Sequence, residues 1–280
     1  MNRINRLTNR KFLIMVTYMK TCLFCSTPVT TSNKAREHVL KKSWLKALKY
    51  EKLPMHRTCS SRETLLDFRT IPAISVLTGD VCGECNYGWM EQLDKNIEEI
   101  VMKLSKNSGL NIEINISQKD ARNIGRWLLK VACVHQYTDT IDRRHIPLSI
   151  RSSLRTDDYL PPSFVVFAIR SWMNTPGLDI SILDVWSESE AETLTNFPQS
   201  TRLKFGIRYD NVIFGCCYVH SENPTFIGID GFHYPLITSQ AKFRLDKVVN
   251  TQEYFTSLPQ FFGRQNTIVE VALATLGVEF

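Results

Sequence analysis

Two stretches of the chain carry hydrophobic residues at intervals of three and four, the spacing of an amphipathic helix. The first stretch runs from Gly88 to about Lys106. The second begins at Ser117, with Asp120 three residues later as a capping signal, and runs to about Tyr137. The residues that set the two periods are Trp89, Met90, Leu93, Ile97, Ile100, Val101 and Leu104, then Ile124, Trp127, Leu128, Val131, Ala132 and Val134.

Runs rich in β-branched and aromatic residues dominate the chain after Pro161. With a short alternating run at residues 110–116 and a short helix around residues 43–51, they predict an α+β fold whose sheet is mainly antiparallel. The predicted strands cover residues 164–169, 179–186, 203–209, 212–219 and 267–274, with a tight turn at Asp210 and Asn211. A boundary near residues 107–118 divides the chain into a basic extension (1–19), a module (20–108) and an α+β C-terminal domain (118–280).

Composition and charge narrow the class of protein. The 280 residues are 43% hydrophobic and 22% charged, which predicts a folded core. No apolar run approaches the roughly 20 residues of a membrane helix, so we expect a cytoplasmic protein with no membrane partner. Residues 1–60 contain 13 lysines and arginines but two acidic residues, Glu37 and Glu51. This asymmetry favours a nucleic acid partner, and a solvated basic face explains it equally well.

Two cysteine pairs have the spacing of metal-binding turns, Cys22 with Cys25 and Cys82 with Cys85. In a reducing compartment such spacing indicates metal before disulfides, and the alternative is unrelated buried thiols. Four thiolates complete a tetrahedral Zn²⁺ shell with no open position, so we predict a structural zinc ion. The 56 residues between the pairs must then form an insertion whose ends meet.

Inside that insertion, Glu37 and His38 are adjacent in a stretch crowded with basic residues. A carboxylate binds a divalent ion such as Mg²⁺, and a neighbouring imidazole can take a proton from water, a combination suited to phosphodiester hydrolysis. Asn86 directly follows the last cysteine, so its amide oxygen is a candidate second ligand to the divalent ion. The alternatives are a surface salt-bridge pair for Glu37 and His38, and a helix cap for Asn86.

The order of these residues resembles the HNH endonucleases, a family with a ββα-metal fold, in the subgroup whose motif is stapled by zinc on two cysteine pairs. The phrases REHVLKKSWL (36–45) and CNYGWM (85–90), the latter followed by Leu93 and Asp94, carry the resemblance over residues 20–100. It implies a metal-dependent DNA endonuclease of bacterial or phage origin, in which His38 is the general base while Glu37 and Asn86 hold the catalytic ion.

The chain departs from the family pattern at one functional position. The middle asparagine that orients the base is missing from residues 75–80, where Thr78 and Asp80 are the polar substitutes. One alternative is that a backbone carbonyl orients the base instead. The other is that the chain is a catalytically weakened zinc module that binds nucleic acid or a protein partner without cleaving it.

Other candidate residues have weaker signals. Five basic residues around Glu37 and His38 are candidate phosphate contacts, or else solvated surface residues: Lys34, Arg36, Lys41, Lys42 and Lys46. His56 and Cys59 have the spacing of a metal-ligand pair, but the sequence beside them offers no second pair to complete a site. Cys133, Cys216 and Cys217 lie in apolar patterns and are expected to pack in the core, as are Trp44, Trp89 and Trp127. A protein partner or a second copy of the chain is an open alternative for the C-terminal region, which shows no catalytic motif.

Overall fold

The computed structural model describes the N-terminal half almost continuously and the C-terminal half in separate strands. The described residues are 20–61, 64–106, 113–114, 117–138, 146–156, 160, 164–170, 177–183, 202–210, 212–219, 225–227, 234–235, 243–244, 273 and 277–279. The basic extension predicted over residues 1–19 lies outside them.

The first half alternates short strands and helices before its two long helices. In chain order these elements are β1 (Lys34–His38), α1 (Lys42–Ala47), β2 (Pro54–Ser61), β3 (Thr64–Pro72), β4 (Leu77–Cys82), the single turn α2 (Gly83–Cys85), α3 (Glu91–Lys106), β5 (Glu113–Ile114) and α4 (Gln118–Gln136). A π-helical turn over Asn86–Met90 joins α2 to α3. Gly88 in this turn has φ −93° and ψ −112°, which kinks the helix there.

The described residues of the second half lie mainly in strands, as predicted. Its elements are α5 (Leu148–Ser153), β6 (Phe164–Arg170), β7 (Leu178–Leu183), β8 (Arg202–Tyr209), β9 (Val212–Val219), β10 (Thr225–Ile227), β11 (Tyr234–Pro235), β12 (Phe243–Arg244) and β13 (Gly277–Glu279). The α+β prediction is therefore confirmed. None of the described helices has the length and apolar character that crossing a membrane requires.

Among the described residues the largest sheet has seven strands, in the order β11-β6-β9-β8-β7-β2-β3. Its neighbours are antiparallel except for β2 and β7, which run parallel. Strands β2 and β3 belong to the insertion between the cysteine pairs, so that insertion shares a sheet with the C-terminal strands. The predicted division near residues 107–118 stays a prediction, and contacts across it are extensive.

Strands β1 and β4 form a separate antiparallel pair in which Glu37 lies opposite Thr78 and His38 opposite Leu77. The register shifts between Ala35 and Glu37, which marks a β-bulge. The helical segment from α2 to α3 follows β4 directly. The chain therefore presents the element order ββα, with β2, β3 and α1 inserted between the two strands.

The main core forms where α4 meets α1 and the large sheet. Trp127 on α4 is buried, and its ring lies 5.6 Å from Trp44 on α1, 6.4 Å from Tyr209 on β8 and 6.0 Å from Phe214 on β9, measured between ring centroids. Aromatic pairs at these distances add to the free energy gained by burying their area. The expectation that Trp44 and Trp127 are core residues is confirmed, and their contact joins the insertion to the C-terminal sheet.

Several local predictions can be compared directly with the structure. Ser117 caps α4 by accepting a hydrogen bond from the Asp120 backbone N–H at 3.0 Å, as predicted. Tyr209 pairs with Val212 across the predicted two-residue turn, where Asp210 has φ 54°. The strand predicted over residues 267–274 lies outside the described residues except for Leu273, which is helical.

The helix predicted over residues 43–51 ends earlier, at Ala47. Lys49 adopts the left-handed conformation (φ 60°), and the Tyr50 backbone N–H donates to the Leu45 carbonyl at 2.7 Å, which closes the helix end. The turn carries Tyr50 toward the large sheet, where its hydroxyl donates a hydrogen bond to the Asp210 carboxylate.

Candidate metal centre and acid-histidine strand

The two cysteine pairs meet, as predicted. Ligand atoms of Cys22, Cys25, Cys82 and Cys85 all lie within 4.8 Å of one another, and the sulfurs of Cys25 and Cys82 are 3.6 Å apart. Zn–S bonds of about 2.3 Å in a tetrahedron place sulfurs about 3.8 Å apart, so four thiols at these separations fit a metal ion.

Each cysteine pair lies on a tight turn fixed by backbone hydrogen bonds. In the first, the Ser26 N–H donates to the Cys22 carbonyl at 2.9 Å, and Ser26 takes a left-handed φ of 60°. In the second, β4 ends at Cys82 and α2 carries the chain through one helical turn to Cys85. The Leu23 N–H donates to the Asp80 carbonyl at 2.9 Å and ties the first turn to β4. The insertion thus returns to its starting point through the strand that precedes the second pair.

Hydrogen bonds between the four thiols shift their pKa values in different directions. A hydrogen bond from Cys85 lowers the pKa of Cys22. The same hydrogen bond, together with burial, raises the pKa of Cys85, and burial raises that of Cys82. Four clustered cysteine sulfurs are a donor set that a soft cation prefers, and metal binding releases the protons of the thiols.

Trp89 supports the cluster from the π-helical turn. Its buried indole Nε1 has no conventional hydrogen-bond partner among the residues that the structure describes, and its N–H lowers the pKa of the Cys85 thiol. Its ring packs edge-to-face on Phe24, with centroids 5.0 Å apart. N–H groups directed at metal thiolates orient and stabilise them. Trp89 therefore contacts the cysteine cluster and also packs against the core, where it was predicted.

Arg151 on α5 holds the first cysteine turn from the C-terminal side of the chain. Its buried guanidinium donates to the backbone carbonyl of Leu23 and, at 2.8 Å, to that of Ile146. It also lies over the ring of Tyr137, 5.3 Å from the centroid. The sequence did not indicate this contact, because 128 positions separate Arg151 from Leu23.

Glu37 is nearly buried and forms an ion pair with a residue of α4. Its side chain is 13% exposed, and Oε1 lies 3.3 Å from the Nζ of Lys130 on α4. The same ammonium lies 2.8 Å from Asp94 Oδ1 on α3. Burial raises the pKa of Glu37, and the charge of Lys130 opposes that shift. Burial by itself would lower the pKa of Lys130, but the neighbouring carboxylates of Asp94 and Glu37 outweigh it, so the pKa of Lys130 is raised. The surface salt bridge considered for Glu37 and His38 is wrong, since Glu37 pairs with a buried lysine instead.

His38 is half-buried and is the last residue of β1. Burial lowers the pKa of His38, a hydrogen bond to the Ile74 backbone opposes this, and Lys42 adds to the lowering. Its Nδ1 has no hydrogen-bond partner among the described residues. The backbone contact agrees with the alternative in which a main-chain group holds this histidine in place of the missing asparagine.

The two polar substitutes for that asparagine have other partners. Thr78 is buried, donates to the Tyr137 carbonyl at 3.4 Å and accepts from the Asp80 N–H at 3.3 Å. The Asp80 carboxylate pairs with Lys20 at 2.8 Å. Among the described contacts, neither the Thr78 hydroxyl nor the Asp80 carboxylate forms a hydrogen bond with His38.

Asn86 begins the π-helical turn with helical dihedrals, φ −63° and ψ −53°, and the residue in the N-cap position of that turn is Cys85. The helix-cap alternative for Asn86 is therefore wrong, because a residue already inside the helix cannot occupy the cap position. Within the described part of the chain no hydrogen bond joins Asn86 to Glu37 or His38. Its role as a second ligand stays a prediction.

The candidate phosphate contacts differ in exposure. Lys34 and Arg36 on β1 are exposed, as are Lys42 and Lys46 on α1. Lys41 is partly buried, 3.4 Å from Glu98 Oε2 and 5.9 Å from the ring centroid of Trp44. Four of the five predicted contacts are thus on the surface, and Lys41 has a structural partner.

The remaining cysteines behave as expected where they are described. Cys133, Cys216 and Cys217 are buried in the core, and burial raises the pKa of Cys133 to about 12. The side chains of His56 and Cys59 on β2 lie outside the described part, so their pairing is untested.

A cavity of about 510 Å³ adjoins the cysteine cluster and is lined by Cys85, Gly88, Trp89 and residues of α5 and the turn after it, including Arg155. Glu37, His38 and Asn86 do not line it.

No family model, curated protein or solved structure matches the chain.

Proposed function

We propose that the protein is a metal-dependent endonuclease of the HNH type that hydrolyses phosphodiester bonds in DNA. The observation that carries the proposal is the four-cysteine cluster, which joins the two ends of a ββα order of elements whose first strand carries Glu37 and His38. Zinc on the four thiols would hold β4 and the helix that follows in fixed register with the first turn. Asn86 then begins that helix, one residue after the last thiol.

The proposed roles follow from chemistry and burial. Glu37 and Asn86 supply oxygen atoms of the kind that Mg²⁺ prefers. A divalent ion, when bound, stabilises negative charge on the scissile phosphate and the leaving oxygen. His38 takes the proton from the attacking water, which suits an imidazole whose pKa is lowered and whose Nδ1 has no hydrogen-bond partner within the described part of the chain.

The basic surface supplies the proposed DNA contacts. Lys34, Arg36, Lys42 and Lys46 are exposed and free to approach phosphates, whereas Lys41 is held by Glu98. Each phosphate contact steepens the salt dependence of binding by about one in a log–log plot. We expect Lys42→Ala to reduce that slope by about one and Lys41→Ala to change it less.

The direct test is nicking of supercoiled plasmid with added Mg²⁺ or Mn²⁺. Glu37→Gln and His38→Gln should each reduce nicking by about 100-fold or more without changing zinc content. Glu91→Gln is a matched control, since the Glu91 side chain is 42% exposed and forms a local i,i+4 ion pair with Lys95 at 2.9 Å. Parental activity in both test variants would refute the endonuclease.

A second candidate function is a non-catalytic zinc module that binds nucleic acid or a protein partner. The ion pair between Lys130 and Glu37 favours it, because the proposed metal ligand already has a cationic partner. DNA binding that persists without added divalent ions, combined with no cleavage under any of them, would favour this module over the nuclease.

A further inference from the structure

Lys130 is the most deeply buried charged group near the proposed active site. Its side chain is 2% exposed, and its ammonium bridges Glu37 Oε1 on β1 and Asp94 Oδ1 on α3. Three elements therefore converge on one nitrogen. The two carboxylates carry one more negative charge than the lysine neutralises, and both are themselves nearly buried, with 13% and 7% of their side chains exposed.

Such an arrangement fixes the carboxylate of Glu37. A buried ion pair is rigid because each charge that loses its partner stays in a medium of low dielectric constant. Lys130 holds Oε1 at 3.3 Å, and the other oxygen, Oε2, has no hydrogen bond among the described residues. The remaining oxygen of Glu37 is thus uncommitted.

We propose that Lys130 is a positioning residue for the divalent-ion site: by holding Oε1 it orients Glu37 so that Oε2 is presented as the metal ligand. This rests on the proposed function, in which Glu37 binds the ion. It makes Lys130 on α4, 45 positions beyond the last cysteine of the cluster, a functional part of the site. The same contact gives Asp94 a role, because Asp94 anchors the ammonium at the shorter distance of 2.8 Å.

The test is Mn²⁺ affinity of the zinc-loaded full-length chain, followed by the electron paramagnetic resonance signal of free Mn²⁺. Removing a hydrogen-bond partner of a metal-ligating side chain typically weakens metal binding 10–100-fold, so we expect a loss of about that size in Lys130→Met. Lys130→Arg, which keeps charge and donors, should bind closer to the parent. Lys95→Met is the matched control because Lys95 is an exposed lysine whose ion pair, among the described residues, is the one with Glu91 on the helix surface.

The outcomes separate the inference from the proposed function. Mn²⁺ binding as tight as in the parent, or tighter, in Lys130→Met would overturn the inference, since Lys130 would then compete with the ion or be irrelevant to it. Parental Mn²⁺ affinity in Glu37→Gln would overturn both ideas. If Mn²⁺ binding depends on Glu37 and Lys130 but the protein nicks no DNA, the proposed endonuclease function is refuted and the role of Lys130 stands.

A measurement on the parent protein covers the case in which Lys130→Met fails to fold. Bound Mn²⁺ should broaden the nuclear magnetic resonance signals of the Lys130 side chain and Glu37 well before those of Lys95. Equal broadening of all three, or none, would place the ion elsewhere and overturn the inference.

Discussion

Replacing Arg151 by methionine should destabilise the protein and loosen the first cysteine turn. The substitution keeps an apolar side chain of similar length and removes the guanidinium that donates to the carbonyls of Leu23 and Ile146. Hydrogen bonds from a charged donor contribute about 1.5–3 kcal/mol each, and the lost cation–π contact with Tyr137 adds about 0.5–2 kcal/mol. Methionine avoids the cost of removing a charged guanidinium from water, which offsets part of the lost interactions. The free energy of unfolding should therefore fall by about 2–4 kcal/mol.

The assay is urea unfolding in excess zinc, followed by tryptophan fluorescence and circular dichroism. With a slope of about 3 kcal/mol/M, a loss of about 3 kcal/mol lowers the midpoint by about 1 M. Arg155→Met is the control because Arg155 is exposed, and such surface changes stay within about 0.5 kcal/mol. Equal urea midpoints for the parent and both variants would refute the conclusion that Arg151 stabilises the first cysteine turn.

Further predictions concern the metal centre and the division of the chain. Trp89→Phe removes the N–H near Cys85 and should weaken zinc binding about tenfold in competition with a chromophoric chelator; unchanged affinity would contradict the assigned contact. Because burial raises the pKa of Cys133 to about 12, its thiol stays protonated at pH 8, and iodoacetamide should label it only after denaturation, as read by mass spectrometry. Residues 20–108 expressed alone should fail to fold cooperatively with zinc, since β2 loses its neighbour β7 and Glu37 loses Lys130; a cooperative unfolding transition for that fragment would show otherwise.

The sequence predicted best where one short pattern decides the outcome. Apolar spacing located α3 and α4, Ser117 and Asp120 marked the start of α4, and β-rich runs located β6 to β9. The meeting of the cysteine pairs followed from the number of ligands that a tetrahedral site needs. Each of these depends on residues close in the chain or on simple chemistry.

The contacts that complete the site were missed because they join distant positions. Strands β2 and β3 carry many polar residues, and nothing local in them indicates a parallel pairing with β7. Lys130 did carry a signal: it lies three residues after Trp127 and four before Val134, so helical periodicity places it on the apolar face. A lysine there needs buried carboxylates, and only the fold brings Glu37 and Asp94 to it.

The central claim is that the four cysteines bind one metal ion and thereby close the ββα unit. Metal content per chain after purification without chelator tests it most directly, with Cys133→Ser as the control because Cys133 is buried away from the cluster. We predict one zinc ion per chain in the parent and in Cys133→Ser, and essentially none in Cys85→Ser. The same zinc content in Cys85→Ser as in the parent, or no metal in any of the three, would contradict the account.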